Sequence, residues 1–145
     1  MHVNEHTHDF TTWYGDGTDG SCPNAEQWAR LFGLPADRPV TLVNLFKLRD
    51  VAAYPDENGV SGTDAFTRYS SVSIPAMQRA GGSFHYAGPH RGAFLGEEED
   101  WDIVAIGTYP NLDSLIALYA DPDYRAVFHH RTAACARQSV FVCAD

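Results

Sequence analysis

Val40–Leu48, VTLVNLFKL, is a nearly unbroken apolar run rich in β-branched side chains. A strand with one wet face would alternate polar and apolar residues, so this run reads as a strand covered on both sides. Upstream, Asn24 and Gln27 have the spacing of a capping box. Trp28, Leu31 and Phe32 share one face of the short helix it opens, and Gly33 and Pro35 stop that helix. Downstream, Arg49–Gly62 contains Pro55, Asn58, Gly59 and Gly62 and must be a loop, long enough to be a lid or a packed excursion. Thr63 can cap the following helix, whose inner face carries Phe66, Tyr69, Ser73, Ala76 and Met77. Pro75 would kink that helix and Gly81-Gly82 end it.

Ser83–Leu95 reads as a strand interrupted at Gly88-Pro89, where a bulge or an edge position is the natural explanation. Trp101–Tyr109 is a further strand. Asn111 caps a helix through Tyr119, Asp121 caps another with Pro122 in its first turn, and Ser139–Cys143 closes the domain as a strand. The order strand, helix, strand, strand, helix pair, strand gives an α+β, ferredoxin-like arrangement, a four-stranded antiparallel sheet with helices on one face. Helices on one face leave the other side of Val40–Leu48 open, and a second copy of the chain is the simplest cover. Residues 24–145 thus form a single domain with an extra N-terminal helix at 24–33. Residues 1–23, polar and rich in Gly, Asp, Thr and His, read as an irregular arm docking through Trp13 and Tyr14.

The chain has 145 residues, enough for one domain with a real core, with 44% hydrophobic and 20% charged residues. Its formal charge of -9 argues against nucleic acid and anionic membrane surfaces, both of which attract basic stripes. Cys22, Cys135 and Cys143 are odd in number and contain no CxxC pair, which fits reduced cytosolic thiols. No apolar run is long enough to span a bilayer, and the N-terminus lacks a signal core, so a cytoplasmic location is expected.

A set of short motifs falls in order along the chain: Asn44-Leu45-Phe46-Lys47, Ala53-Tyr54, Ser61-Gly62 with Ala65-Phe66 and Tyr69, Gly81-Gly82, Trp101-Asp102, Tyr109-Pro110, Asp121-Pro122-Asp123-Tyr124 and Arg131. In their ordered spacing they resemble the bacterial family called domain of unknown function 1330, in its longer form with an N-terminal helix. The resemblance covers about residues 24–143. It implies a dimeric α+β barrel in which the sheets of two subunits pack together. That superfamily also holds cofactor-free monooxygenases, muconolactone isomerases and haem-using enzymes. The family has no established reaction, so the resemblance implies no catalytic role, only that Asn44, Tyr69, Asp102 and Arg131 line something shared. Phe66 stands where members often carry Tyr.

Arg131 falls on the apolar stripe of its helix, with Tyr124, Val127, Phe128, Ala134 and Cys135. A guanidinium there needs a carboxylate, a set of acceptors, a bound anion or a path to water. Asp102, flanked on its own face by Val104 and Ile106, is the expected structural partner. A head reaching water, or an anchor for the carboxylate or enolate of a small ligand, are the alternatives. Ala105 and Gly107, small residues between Trp101 and Tyr109, leave either close helix packing or a cavity walled by aromatics. Tyr69 is a core tyrosine or a proton donor able to polarise a carbonyl.

His85 and His90 are the general-base candidates by residue type, and their odd separation puts them on opposite faces unless a bulge intervenes. His129 and His130 point about 100° apart and cannot share one metal. His6 and His8 could face the same way on an extended arm. Glu97–Asp100 reads as a solvated turn. With no phosphate loop, nucleophile elbow or HExxH, neither cofactor nor metal is expected. Two functions follow, with haem use a third option that would need a histidine facing a haem-sized cavity. One is a small-molecule enzyme, a cofactor-free monooxygenase or isomerase, acting on an acidic or carbonyl-bearing apolar compound. It would use His85, Asp102 or Tyr69 to move a proton and Arg131, Asn44, Trp101 and Tyr109 to bind. The other is a non-catalytic dimeric ligand-binding or interaction module.

Overall fold

The computed structural model describes residues 3–145, with side chains from residue 7 onward. Its elements run α1 (Val3–Tyr14), α2 (Ala25–Phe32), β1 (Val40–Leu48), α3 (Gly62–Arg79), β2 (Ser83–Pro89), β3 (Ile103–Tyr109), α4 (Leu112–Ala120), α5 (Pro122–Ala134) and β4 (Cys135–Ala144). The four strands form one antiparallel sheet in the order β2-β3-β1-β4. The apolar run β1 lies in the middle, with Val43 opposite Ile106 of β3 and Phe141 of β4. The order and the crossovers through α3 and through α4–α5 are those of the ferredoxin-like arrangement.

Val40, Leu42 and Phe46 of β1, with Ala105, Gly107 and Tyr109 of β3, face the helices and are buried. The small side chains on β3 let α3 come close: a Cβ on Gly107 would stand 2.8 Å from Met77 Cε. The opposite face presents Val43 and Leu45 of β1 and Val104 and Ile106 of β3, all half-buried, beside the more exposed Tyr86 and Phe141. No helix covers this face among the described residues.

Among the described residues the N-terminal arm is irregular only from residue 15 onward. Val3–Tyr14 is a helix. Its sequence is poor in strong helix formers, and an isolated helix of this length is marginal in water. Packing supplies the stability. Phe10 is buried, its ring 4.6 Å from Trp28 and 5.5 Å from Phe32, and each such burial contributes about 1.5–3 kcal/mol. The Tyr14 hydroxyl donates to the Tyr119 carbonyl at 2.5 Å. Trp13 stays at the surface with the Arg125 guanidinium 4.2 Å above its ring, so Phe10 takes the anchoring place expected of it. His8 sits on this helix rather than on an extended arm, and the side chain of His6 lies outside the described residues.

The capping box of α2 is formed as read: Asn24 Oδ1 accepts from Gln27 N at 2.8 Å and Gln27 Oε1 from Asn24 N at 2.9 Å. Helix α3 is capped by Ser61 instead of Thr63, because Ser61 Oγ is the group that meets Asp64 N. Residues 49–61 form a packed excursion. Val51 bridges Ser61, Ala53 N donates to Ala133 O at 2.9 Å and Arg49 N to Ala134 O at 2.8 Å. Strand β2 ends at Pro89 and lies at the sheet edge, but its bulge falls at His85, between Phe84 and Tyr86. Strand β4 follows α5 without a loop, four residues earlier than the reading at Ser139.

Candidate functional site

Helix α5 carries Arg131 onto the sheet-facing side, where it is 4% exposed. The expected pairing with Asp102 does not exist. Asp102 lies on the other side of the sheet, where its Oδ2 accepts from Leu48 N at 2.7 Å and its Oδ1 meets Lys47 Nζ at 3.4 Å. Among the described residues no carboxylate comes within ion-pair distance of Arg131. Its partners are neutral. Nε donates to Gln138 Oε1 at 2.7 Å, and Nη1 donates to the Tyr69 hydroxyl at 3.1 Å. That hydroxyl shares a further hydrogen bond of 2.7 Å with Tyr124. The guanidinium carbon sits 4.7 Å from the ring centre of Phe46 and 5.4 Å from that of Phe128.

Burial opposes the charge, but the surrounding Tyr69, Tyr119 and Tyr124 oxygens outweigh it and hold the guanidinium protonated beyond the usual arginine range. Ring faces contribute about 0.5–2 kcal/mol each. Neutral acceptors still leave a net charge in the core, a situation that costs several kcal/mol. Burial also raises the phenols of Tyr109, Tyr119 and Tyr124, so they are donors near neutral pH and cannot serve as bases.

Arg131 borders two cavities. The smaller, about 120 Å³, lies between sheet and α3 and is lined by Asn44, Tyr69, Tyr109 and Ser73 among others. The larger, about 350 Å³, lies between β4 and the segment leading into α2, against Trp28, Tyr119, Phe128 and Gln138. Among the described residues, neither cavity has an aspartate, glutamate or histidine in its lining. In a chain with 19 acidic residues against 10 basic ones, this is a local inversion of the overall charge.

Four of the residues singled out from the sequence, Asn44, Tyr69, Tyr109 and Arg131, therefore meet around one cavity. Asn44 Nδ2 donates to the Ala105 carbonyl at 2.9 Å, which leaves its side-chain oxygen as the polar group for the cavity. Three do not join them. His85 is exposed on the edge strand, at its bulge, and Asp102 is held by Lys47. Trp101 is buried beneath the Arg137 guanidinium, 4.0 Å away, and lines neither cavity. Sequence reasoning missed Gln138, Tyr119 and Trp28. Gln138 was placed outside its strand, and only the pairing of Gln138 with Phe46 turns it toward Arg131.

Among the described residues no group of three or more His, Cys, Asp or Glu could hold a metal, and no helix is long and apolar enough to cross a membrane.

Sheet order and one-sided helices define a ferredoxin-like α+β protein, here with a buried cation facing cavities whose described lining holds no acid. The chain belongs to the family described as domain of unknown function (DUF1330), whose model matches residues 57–144. The structure is similar to that of RPA0582, a protein of unknown function from Rhodopseudomonas palustris. Identity is 32%, covering 84% of this chain and 93% of that chain, with a TM-score of 0.77. The methylated form of RPA0582 gives 30% identity, 86% and 93% coverage and a TM-score of 0.79. A dimeric protein of unknown function with a ferredoxin-like fold from Bacteroides fragilis NCTC 9343 matches at 18% identity, over 74% of this chain and 96% of that chain, with a TM-score of 0.47. No curated protein matches.

Proposed function

We propose that the protein is a homodimeric binder of a small organic anion, a carboxylate or enolate on an apolar body. The observation that carries this reading is Arg131, a buried guanidinium that meets no carboxylate among the described residues, at the wall of cavities whose described lining contains no acid. An incoming carboxylate would supply the missing charge through planar, two-point recognition, and the rings of Trp28, Phe128 and Tyr119 would receive the apolar part. Dimerisation through the open sheet face follows from Val43, Leu45, Val104 and Ile106, an apolar patch no helix covers.

Binding without turnover is favoured over the monooxygenase and isomerase readings. Proton abstraction needs a base, and among the described residues the cavity linings hold no carboxylate or imidazole. Arg131 and Tyr69 could still stabilise an enolate formed elsewhere.

Calorimetric titration with benzoate and hexanoate tests the reading. Wild type should bind, and Arg131→Met should lose about ten- to a hundredfold in affinity, the worth of a charge-assisted hydrogen bond. Equal affinities in the two proteins would remove Arg131 from the site.

A further inference from the structure

We infer that the larger cavity selects a dianion, with one carboxylate at Arg131 and the second at Arg30. This rests on the reading of Arg131 as an anion anchor and adds the other end of the ligand. Arg30 is in the last turn of α2 and lines the same cavity as Arg131. Among the described residues no carboxylate lies within 4.0 Å of it, although Glu26 stands one turn earlier on the same helix. A cation there complements the carbonyl end of the helix, which accounts for its presence but leaves its hydrogen-bond donors for a ligand. Arg131 is buried and Arg30 exposed, so the cavity is lined by one desolvated cation and one in contact with water. The rest of the lining mixes apolar Leu42, Leu115, Val140 and Val142 with polar Ser21, Asn24, Gln27 and Gln138.

A single carboxylate would satisfy Arg131 and leave Arg30 to solvent. A diacid with an apolar body uses both cations and the apolar part of the lining. The charge of -9 on the whole chain works against this, because at long range it repels a dianion more than a monoanion. A preference for diacids therefore has to come from local cations. Arg30 lies outside residues 57–144, the stretch matched by the family model, and Arg131 inside it. The buried anchor thus belongs to the family domain, and the exposed one to the N-terminal helices packed on it.

The test is calorimetric titration with two matched pairs, benzoate against terephthalate and hexanoate against adipate, on wild type and Arg30→Gln. Arg30 is exposed, so the variant should keep the wild-type fold, checked by its circular dichroism and melting curve. Wild type should bind each diacid about tenfold tighter than its monoacid, one charge-assisted contact's worth. Arg30→Gln should bind the monoacids as wild type does and lose the preference. Equal binding within each pair by wild type, or a preference that survives Arg30→Gln, overturns the dianion inference and leaves the Arg131 anchor standing. Failure of all four acids to bind wild type overturns both.

Discussion

Arg131 pays for its position with an uncompensated charge, and a purely structural residue would have little reason to keep it. Methionine has a similar length and suits a box of Phe46, Phe128 and Tyr69 rings. Tyr69 would keep its hydrogen bond to Tyr124, and Gln138 is only half-buried. We expect Arg131→Met to be as stable as wild type or up to about 3 kcal/mol more stable in chemical denaturation, since buried charges often cost more than they return. A loss of more than ~2 kcal/mol would make the arginine part of the scaffold. Thiol chemistry offers a second check on the packing. Burial pushes the Cys135 thiol up to about 11, whereas Cys143 is exposed. An aromatic disulfide reagent at about pH 8 should titrate Cys143 promptly and reach Cys135 only on unfolding. Prompt labelling of Cys135 in the native protein would contradict the packing around Arg131.

At the scale of elements, the excursion 49–61 is where the fold is most tightly specified. The Arg49 carbonyl stands 1.9 Å from where a Cβ on Gly62 would be, so helix α3 can start there only with glycine. Gly62→Ala should cost roughly 2 kcal/mol or more by thermal denaturation, because the atoms it would meet are Arg49 backbone, not a flexible side chain. The excursion is also latched to α5 by the Tyr54 hydroxyl on His130 Nδ1 at 2.5 Å. Burial, then His129 and Arg68, lower the His130 pKa, with Glu57 opposing them. The fold thus favours the neutral imidazole. Its contribution is present above the ordinary histidine value of 6.5 and is lost as pH falls below it. Between about pH 7 and 5 wild type should lose more stability than His130→Asn, measured as denaturation midpoint against pH. Parallel curves would show that the latch does not titrate. Elements with local signals were legible in the sequence: β1 by its apolar run, α2 by Asn24 and Gln27, α5 by Asp121 and Pro122. Helix α1 was not, because its stability comes from Phe10 meeting Trp28 and Phe32 across the fold. The start of β4 was hidden for a different reason: Cys135 continues the helical stripe in sequence while its backbone has already become extended.

For the whole molecule, the charge anomaly at Arg131 was legible but its partner was not. The choice between Asp102 and Gln138 depends on which face of the sheet each occupies, a matter of register between strands distant in sequence. The open face that made β1 readable also predicts assembly. Ile106→Glu places a charge at the centre of that patch, opposite Val43. Sedimentation should show wild type as a dimer and Ile106→Glu as a 16.0 kDa monomer with unchanged circular dichroism. A monomeric wild type would sever the patch from assembly and leave the Arg131 site unaffected. The central claim is tested most directly by a crystal structure of the wild-type protein soaked with benzoate and terephthalate. A carboxylate should lie within hydrogen-bond distance of the Arg131 guanidinium, with its ring toward Trp28 and Phe128. Cavities empty at Arg131 in both soaks would contradict it.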